Sequence, residues 1–475
     1  MESLYRLLFL AFAGARSALE TVPGYTGIAR ALLERAGARV GDRIRIVQRD
    51  GRVFEGILMP RYALSAKPII VIKLDNGYNI GVRVDEHTEI TVVKTREAIL
   101  REAAAGAPAV VPLLEEQPPL EKRPRVMIIG TGGTIASKIE YETGAVKPAM
   151  SARDLVEAVP EIGFIAEVSA EVLMNILSEN MRPEYWERIV DAVAKSIAEG
   201  FEGIVVAHGT DTMAYTASAL AFAFRGLPVP IAFVGAQRSS DRPSSDASFN
   251  LISAVLVAAR APFAEVTVVM HGETGDTYAL AHRATKVRKM HTSRRDAFQS
   301  INARPLARVY PFERRIELVS EPLQRRGEQE LRVMNGFERK VALVKYYPGM
   351  DSEIIDFLVD RGYRGIVLEG TGLGHVGEWL VDSIRRAVEN EIVVVMTSQT
   401  LFGRVNMNVY ATGRKLLAAG VVPGDDMLPE TAFVKLSWVL AHSSSFEEAK
   451  RLMRENLAGE INPRHTVDLY PRWPH

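Results

Sequence analysis

Two segments rich in glycine and threonine, Gly130–Ala136 and His208–Met213, carry the residues best suited to chemistry in this chain. Each follows a short apolar run, Val126–Ile129 in the first case and Ile204–Val206 in the second. Loops at the carboxyl ends of strands build the sites of open α/β sheets. Glycine lets the backbone approach a ligand closely, and threonine adds a hydroxyl group. We predict that the two segments are halves of one active site with a threonine hydroxyl as nucleophile.

A threonine hydroxyl attacks a carbonyl carbon only when a base removes its proton. The candidate bases are Asp211, beside Thr210, and a lysine of the basic stretch Lys286–Lys289, which can act once its neutral form is favoured. Backbone N–H groups of the Gly132–Gly133 turn would stabilise the oxyanion. Together these parts suit acyl transfer from a small amide. For Thr134 taken alone, a turn that caps a helix is the alternative.

Other familiar motifs fail or are missing. The segment Gly372–Gly377 has the spacing G-x-G-x-x-G, but the next apolar run, Ile392–Met396, ends in Thr397–Gln399 and not in the acid that a dinucleotide site requires. There is no G-x-x-x-x-G-K-[ST] and no H-E-x-x-H, so neither ATP hydrolysis nor a metal site is predicted. The serine-rich run Gln237–Asp246 contains aspartates that would repel phosphate, which favours a capped loop before the next helix.

The composition is that of a globular protein without a charge bias. The 475 residues include 58 Lys+Arg, 58 Asp+Glu and no cysteine. Net charge therefore gives no support to nucleic-acid binding, and disulfides and thiolate ligands are excluded. Residues 1–24 are expected to be an extension or a mis-called start, with a signal peptide as the alternative because Leu7–Ala15 is apolar. A cytoplasmic location is predicted.

Residues 25–96 are predicted to form a small SH3-like β-barrel. Short alternating runs in this stretch are separated by the turns Asp50–Gly51 and Asp75–Gly77, which are hairpin signals. A small basic excess leaves contact with RNA open beside the simpler interpretation of a solvated surface. Residues 97–123 are rich in alanine, proline and glutamate and are predicted to be a linker.

From residue 124 onward, strand-like and helix-like segments alternate. Predicted helices such as Ala152–Val159, Arg182–Ile197 and Ser244–Ala259 separate apolar runs, a pattern typical of a parallel α/β sheet. We predict one α/β domain over 124–310, a charged, irregular connector over 311–340 and a smaller α/β domain over 341–475. The fold class is therefore α/β, with two domains built on parallel sheets and a small barrel before them.

The pair of segments Thr131–Ala136 and His208–Met213 resembles the signature pair of the asparaginase/glutaminase family. The resemblance extends from about Arg125 to the end of the chain and implies an asparaginase-like body of two α/β domains. The family usually assembles its site across a dimer, and the resemblance implies the same here.

The resemblance also assigns roles to residues. Thr134 stands in the place of the acyl-accepting nucleophile, and Thr210, Asp211 and a lysine match the second triad. That lysine aligns best with Lys289 in the run Arg288–Asp296, with Lys286 as the fallback.

Three further residues match the family's substrate contacts. Ser178 and Glu179 match the pair that holds the α-carboxylate and the α-amine of the substrate, although many bacterial relatives have glutamine where Glu179 stands. Tyr141 matches a tyrosine on a mobile lid and is the lid candidate. No metal ligand is implied.

A small barrel, a linker and an asparaginase-like body in this order are similar to the glutamine-hydrolysing chain of the archaeal glutamyl-tRNA(Gln) amidotransferase family. This resemblance implies ammonia supply to the E subunit of that enzyme, which uses ATP and Mg to convert Glu-tRNA(Gln) to Gln-tRNA(Gln). The implied assembly is a homodimer within a heterotetramer that contacts tRNA mainly through the partner. No cofactor is expected in this chain, and no membrane contact.

Two other functions are weighed against this one. A stand-alone L-asparaginase with an accessory barrel would turn over asparagine rapidly without a partner. A catalytically silent RNA-binding scaffold would not need Thr134, Thr210, Asp211 and Lys289, so their presence together argues against it.

Overall fold

The computed structural model describes most of the chain. The described residues are 22, 25–59, 68–74, 79–95, 98, 123–132, 137–139, 146–148, 159–238, 245–327 and 329–471. They fall into two compact units, one within Met1–Gln117 and the other within Pro118–His475. Several predictions lie wholly or almost wholly outside the described residues, namely the extension 1–24, the linker 97–123, the helix Ala152–Val159 and the site residues Thr134 and Tyr141.

The first unit is a five-stranded antiparallel sheet preceded by a helix. Its elements are α1 (Gly27–Arg35), β1 (Arg43–Val47), β2 (Val53–Leu58), β3 (Ile69–Lys73), β4 (Asn79–Arg83) and β5 (Glu89–Lys94). The strand order is β4-β3-β2-β1-β5. Alternation along β1 places Ile44 and Ile46 in the core and Arg45 at the surface. The Tyr25 hydroxyl donates to the Met59 carbonyl (2.8 Å), next to the end of β2. This barrel-like sheet confirms the predicted class of the unit.

The second unit contains two α/β domains. The elements of its first domain are β6 (Arg125–Gly130), β7 (Ser137–Ile139), β8 (Val146–Pro148), β9 (Glu167–Val172), α2 (Pro183–Ala198), β10 (Gly203–Ala207), α3 (Met213–Ala223), β11 (Phe224–Arg225), β12 (Ile231–Val234), α4 (Ala247–Arg260), β13 (Val266–His271), β14 (Ala279–Arg283), β15 (Val287–Lys289), β16 (Phe298–Ser300), β17 (Ala307–Tyr310), β18 (Arg315–Leu318) and β19 (Arg332–Val333).

The main sheet of this domain is mixed. Its order is β18-β17-β14-β13-β12-β10-β6-β9. The five strands from β13 to β9 are parallel, as expected, whereas β14, β17 and β18 extend the sheet antiparallel. The segment predicted to be an irregular connector contains β18, whose sequence Arg315–Leu318 alternates charged and apolar residues at the sheet edge. Charged edge strands of this kind resemble loops in sequence because only one face is apolar.

The second domain is a smaller parallel sheet with helices. Its elements are β20 (Val341–Lys345), α5 (Glu353–Asp360), β21 (Gly365–Gly370), α6 (Val381–Glu389), β22 (Val393–Ser398), α7 (Ala411–Ala418), β23 (Val422–Pro423), α8 (Pro429–His442) and α9 (Phe446–Arg454). The order β20-β21-β22-β23 is parallel throughout, which confirms the predicted α/β class.

One hydrophobic core joins the two domains of the second unit. Helix α8 packs against α3 of the first domain and against β20 and β21 of the second. Buried side chains from both domains therefore belong to the same cluster, among them Leu220, Val367 and Leu436. Burial of this shared apolar surface holds the domains in one arrangement. Within the described part of the chain, no helix combines the length and the apolar character that crossing a membrane requires.

Candidate active site

The two signature segments begin side by side at the carboxyl edge of the main sheet. Strands β6 and β10 are parallel neighbours, and Gly130 pairs with Ala207 at their ends. The Thr131 hydroxyl donates to the Ala207 carbonyl (3.0 Å) and is buried, so it ties the first loop to the second strand. The strand register brings the starts of the two segments together, and their use as halves of one active site stays a prediction because residues 133–136 lie outside the described residues.

The glycines of both loops approach protein and not open space. A Cβ atom on Gly132, whose φ is +124°, would lie 2.0 Å from the Ile176 carbonyl oxygen. A Cβ on Gly209 would lie 2.7 Å from the Ser178 Cβ. The sequence predicted that these glycines let the backbone approach a ligand. Among the described residues, the groups close to them belong to the protein itself, in the segment 176–178. Glycine is required at both positions because any side chain would displace that segment.

Lys289 reaches both Thr210 and Asp211. Its Nζ donates to the Thr210 Oγ1 at 2.9 Å and lies 2.7 Å from the Asp211 Oδ1. The Lys289 side chain is 14% exposed, whereas that of Asp211 is 68% exposed. Thr210 is buried. The amine is thus held where it can exchange a proton with the threonine hydroxyl, and the carboxylate orients it.

Lys286, the alternative lysine, points elsewhere. Its Nζ lies 2.7 Å from the Asp426 Oδ2 in the second domain, and both side chains are fully buried. Burial lowers the pKa of Lys286, with the Asp426 carboxylate opposing that shift. Among the two lysines that the sequence proposed, the structure brings only Lys289 to Thr210.

Ser178 and Glu179 lie on a short 3-10 turn, Ser178–Asn180, beside the second loop. Ser178 is buried, and its carbonyl accepts from the Thr212 hydroxyl at 2.7 Å. Glu179 is exposed. The structure therefore places Ser178 against Gly209 and Thr212, and the substrate-binding roles of Ser178 and Glu179 stay predictions.

His208 is a feature of the site to which the sequence assigned no role. It is buried, and burial lowers its pKa to about 4, so the imidazole is neutral at pH 7. Its Nδ1 donates to the Gly209 carbonyl at 2.7 Å. His208 thus fixes the start of the second loop and is not a general base for Thr210. The sequence shows His208 in the His-Gly-Thr run, but it does not predict that the side chain is buried.

A third loop, after β12, completes this edge. A Cβ on Gly235 would lie 2.8 Å from the Thr210 Cγ2, so this loop contacts Thr210 directly. The Asp246 carboxylate accepts from the backbone N–H groups of Gln237 (3.0 Å) and Arg238 (2.8 Å). It therefore holds the loop that precedes α4. No group of three His, Asp or Glu side chains among the described residues is placed to hold a metal ion.

Comparison with known proteins places the chain in a family. Residues 125–324 match the family described as asparaginase, N-terminal, residues 340–453 match the glutaminase/asparaginase C-terminal domain, and residues 38–93 match the GatD N-terminal domain. The D subunit of the glutamyl-tRNA(Gln) amidotransferase of Aeropyrum pernix is 58% identical over 89% of this chain and 97% of its own length. That of Pyrococcus furiosus is 55% identical over 91% and 97%. The chain belongs to the GatD family of amidotransferase subunits.

Two solved asparaginases share the fold of this chain over 72% of its length. The thermostable L-asparaginase from Thermococcus kodakarensis is 33% identical with a TM-score of 0.64, and it covers 72% of this chain and 100% of its own. L-asparaginase I from Vibrio cholerae is 32% identical with a TM-score of 0.63, and it covers 72% and 99%. The GatD relatives account for far more of the chain, including the N-terminal unit.

Proposed function

We propose that this chain hydrolyses glutamine to glutamate and ammonia and supplies the ammonia for conversion of Glu-tRNA(Gln) to Gln-tRNA(Gln). The observation that carries the proposal is the match of residues 38–93 to the GatD N-terminal domain ahead of both asparaginase domains. Relatives named as the D subunit of the amidotransferase align over almost their whole length. The contacts of Lys289 with Thr210 and Asp211 support the proposed role of these residues in proton transfer.

The proposed reaction proceeds through an acyl-enzyme. The Thr134 hydroxyl attacks the side-chain amide carbon of glutamine, and the C–N bond breaks as ammonia takes up a proton. Water then attacks the glutamyl ester, which releases glutamate and restores the hydroxyl. Lys289 would transfer protons through the Thr210 hydroxyl, with Asp211 orienting its Nζ. Glutamine and water thus give glutamate and ammonia.

Substrate recognition is assigned to the turn beside the second loop. Ser178 and Glu179 would hold the α-carboxylate and α-ammonium of glutamine, because a hydroxyl can donate to a carboxylate and a carboxylate accepts from an ammonium. Tyr141 is proposed as a lid residue. A carboxylate at position 179 would favour substrates with a free α-amine.

The proposed assembly includes a second protein, the E subunit of the amidotransferase. This partner would bind ATP and Mg, phosphorylate Glu-tRNA(Gln) and receive the ammonia, whereas this chain would contribute no cofactor. The assembly is proposed as a homodimer of this chain within a heterotetramer in the cytoplasm. The tRNA would be held mainly by the partner.

A stand-alone L-asparaginase is the second candidate, since an L-asparaginase shares 33% identity and the fold over 72% of the chain. The test is ammonia release from glutamine and from asparagine, by the chain alone and with the ATP-using partner and glutamyl-tRNA. We expect feeble release from both amides by the chain alone and a rise on glutamine with the partner. Fast turnover of asparagine by the chain alone would replace the proposal with the asparaginase.

A further inference from the structure

A cavity lies at the edge of the main sheet opposite to the candidate active site. Strands β10, β12 and β13 are parallel. Thr210 follows the carboxyl end of β10, whereas Glu265 and Val266 line the cavity at the amino end of β13. Its volume is about 390 Å³, which is in the range of small-molecule sites. The rest of the wall includes the end of α3 and residues 456–459, which follow α9.

The charged residues of the described lining are two arginines and one glutamate. Arg283 and Glu265 form a bidentate ion pair, in which the Arg283 Nε lies 2.7 Å from the Glu265 Oε2 and the Nη2 lies 3.3 Å from the Oε1. The Glu265 Oε1 also accepts from the Leu323 backbone N–H at 2.6 Å. The carboxylate of the lining is therefore matched to Arg283. The charge that is left belongs to Arg225.

Arg225 is held in place by groups that do not neutralise it. Its Nη1 donates to the Leu457 carbonyl, and its Cζ lies 5.1 Å from the centroid of the Trp438 ring. Among the described residues, no carboxylate lies within ion-pair distance of its guanidinium. The Glu460 carboxylate is fully buried and lies 2.6 Å from the Lys435 Nζ, which matches its charge. Burial lowers the pKa of Arg225, and Glu460 opposes that shift.

A second arginine lies opposite Arg225 on the ribbon formed by β11 and β19. The antiparallel register pairs Arg225 with Arg332, so the two side chains lie on the same face of the ribbon. Arg332 is exposed, and it too has no carboxylate within ion-pair distance among the residues that the structure describes. Like charges directly opposite one another destabilise a strand pair. An anion bound at Arg225 would reduce that repulsion.

We infer that this cavity is a second binding site, which takes a small organic anion through the guanidinium of Arg225. A guanidinium offers planar donors that match the oxygens of a carboxylate or a phosphate group. The contacts with Leu457 and Trp438 fix the guanidinium before the anion arrives, which lowers the entropic cost of binding. The leucine side chains of the wall, Leu227, Leu323 and Leu457, would contact an apolar part of the same ligand. Anion binding here does not depend on glutamine hydrolysis by the chain.

Isothermal titration calorimetry of the full chain with inorganic phosphate and with isobutyrate, at constant ionic strength, tests this site. Isobutyrate lacks the α-amine that Glu179 is proposed to hold. Arg225→Gln should weaken binding about tenfold or more, because charge-assisted hydrogen bonds are lost. Arg260→Gln removes an exposed arginine outside the lining and is the matched control, with the affinity of the wild type. Failure of both probes to bind the wild type, or equal affinity in Arg225→Gln, overturns the inference.

A second variant keeps Arg225 and its contact with Trp438. Asn456 is an exposed residue of the lining, and its Oδ1 accepts from the Ile461 backbone N–H at 3.3 Å. Asn456→Asp keeps this shape and this acceptor but adds a negative charge, so we expect binding about threefold weaker at the wild-type melting temperature. Equal affinity would show that the cavity does not bind an anion. Binding of phosphate alone assigns the site to phosphates, and binding of isobutyrate alone assigns it to carboxylates.

Discussion

Lys286 and Lys289 have different environments, so we expect Lys289 to act in catalysis and Lys286 to act in stability. Lys289 is partly exposed and contacts Thr210 and Asp211, whereas Lys286 is fully buried against Asp426. The Asp426 carboxylate also accepts from the Asn462 backbone (2.9 Å) and side chain (2.8 Å). Removal of one partner from a buried ion pair lowers the free energy of unfolding, because the other charge stays buried without compensation. A partly exposed pair contributes little to stability.

Lys289→Met should abolish proton transfer at the site. We expect glutamine hydrolysis in the complex to fall about hundredfold or more, since general acid–base groups contribute on that order. The melting temperature should change little because Asp211 stays solvated. Ammonia release and calorimetry check both parts, and a variant with near wild-type turnover would exclude Lys289 as the base.

Lys286→Met should lower the stability of the fold and leave proton transfer at the site largely intact. Removal of the ammonium leaves the Asp426 carboxylate buried and without its cation, which typically costs about 3–5 kcal/mol of unfolding free energy. Urea denaturation followed by fluorescence measures the change. Unfolding at the wild-type midpoint would show that the pair does not stabilise the fold.

Acid sensitivity should come partly from two buried neutral histidines. Burial lowers the pKa of His208 to about 4 and that of His282 to about 3. As pH falls below the histidine pKa of the unfolded chain, the unfolded chain binds protons that the folded chain does not bind. Stability therefore falls by about 1.4 kcal/mol per pH unit for each histidine. His282→Gln should flatten the loss between pH 6 and 4.5 in urea titrations. The exposed His87→Gln is the control, and equal slopes for all three proteins would contradict this explanation.

At the scale of elements, the second domain holds the hairpin that carries Lys289. The Thr285 hydroxyl donates to the Ala458 carbonyl (3.0 Å), Lys286 pairs with Asp426, and Arg288 pairs with Glu430 at 2.7 Å. Burial raises the pKa of Glu430, and Arg288 opposes that rise. The basic stretch Lys286–Lys289 therefore attaches the hairpin to the second domain, and its last residue, Lys289, lies in the site.

The close approach of loop and turn at Gly209 gives an element-scale prediction. In Gly209→Ala the added Cβ would lie 2.7 Å from the Ser178 Cβ, so the Ser178–Asn180 turn must shift. We expect a loss of about 1–3 kcal/mol from overpacking and a higher KM for glutamine. Gly275→Ala is the control because its nearest neighbour outside the adjoining residues is 3.4 Å away. Unchanged kinetics in Gly209→Ala would show that the turn does not bind substrate.

Sequence periodicity predicted most of the parallel strands and helices, because these elements are apolar and bounded by clear turns. Helix α2 (Pro183–Ala198) was predicted as Arg182–Ile197, within one residue at each end. Strands β9 and β14 were missed since Glu167–Val172 and Ala279–Arg283 have weak alternation. The buried pair of Lys286 and Asp426 could not be predicted from sequence, because residues 140 positions apart become neighbours only when the two domains pack together.

At the scale of the whole molecule, an asparaginase-like unit follows a small barrel-like unit, and each has its own core. The asparaginase fold explains the hydrolytic site, whereas the barrel-like unit distinguishes the GatD family from the solved asparaginases it resembles. A free-standing hydrolase has no evident need for that unit. Its presence is consistent with ammonia being made for a partner.

The most direct test of this account separates ammonia supply from its use. The complex of Thr134→Val with the proposed ATP-using partner should form no Gln-tRNA from glutamine, since the proposed nucleophile is missing, but should form it from added ammonium chloride. Thr134→Ser, which keeps a hydroxyl, is the matched control and should retain measurable use of glutamine. Glutamine-dependent Gln-tRNA formation by the Thr134→Val complex at the wild-type rate would contradict the account.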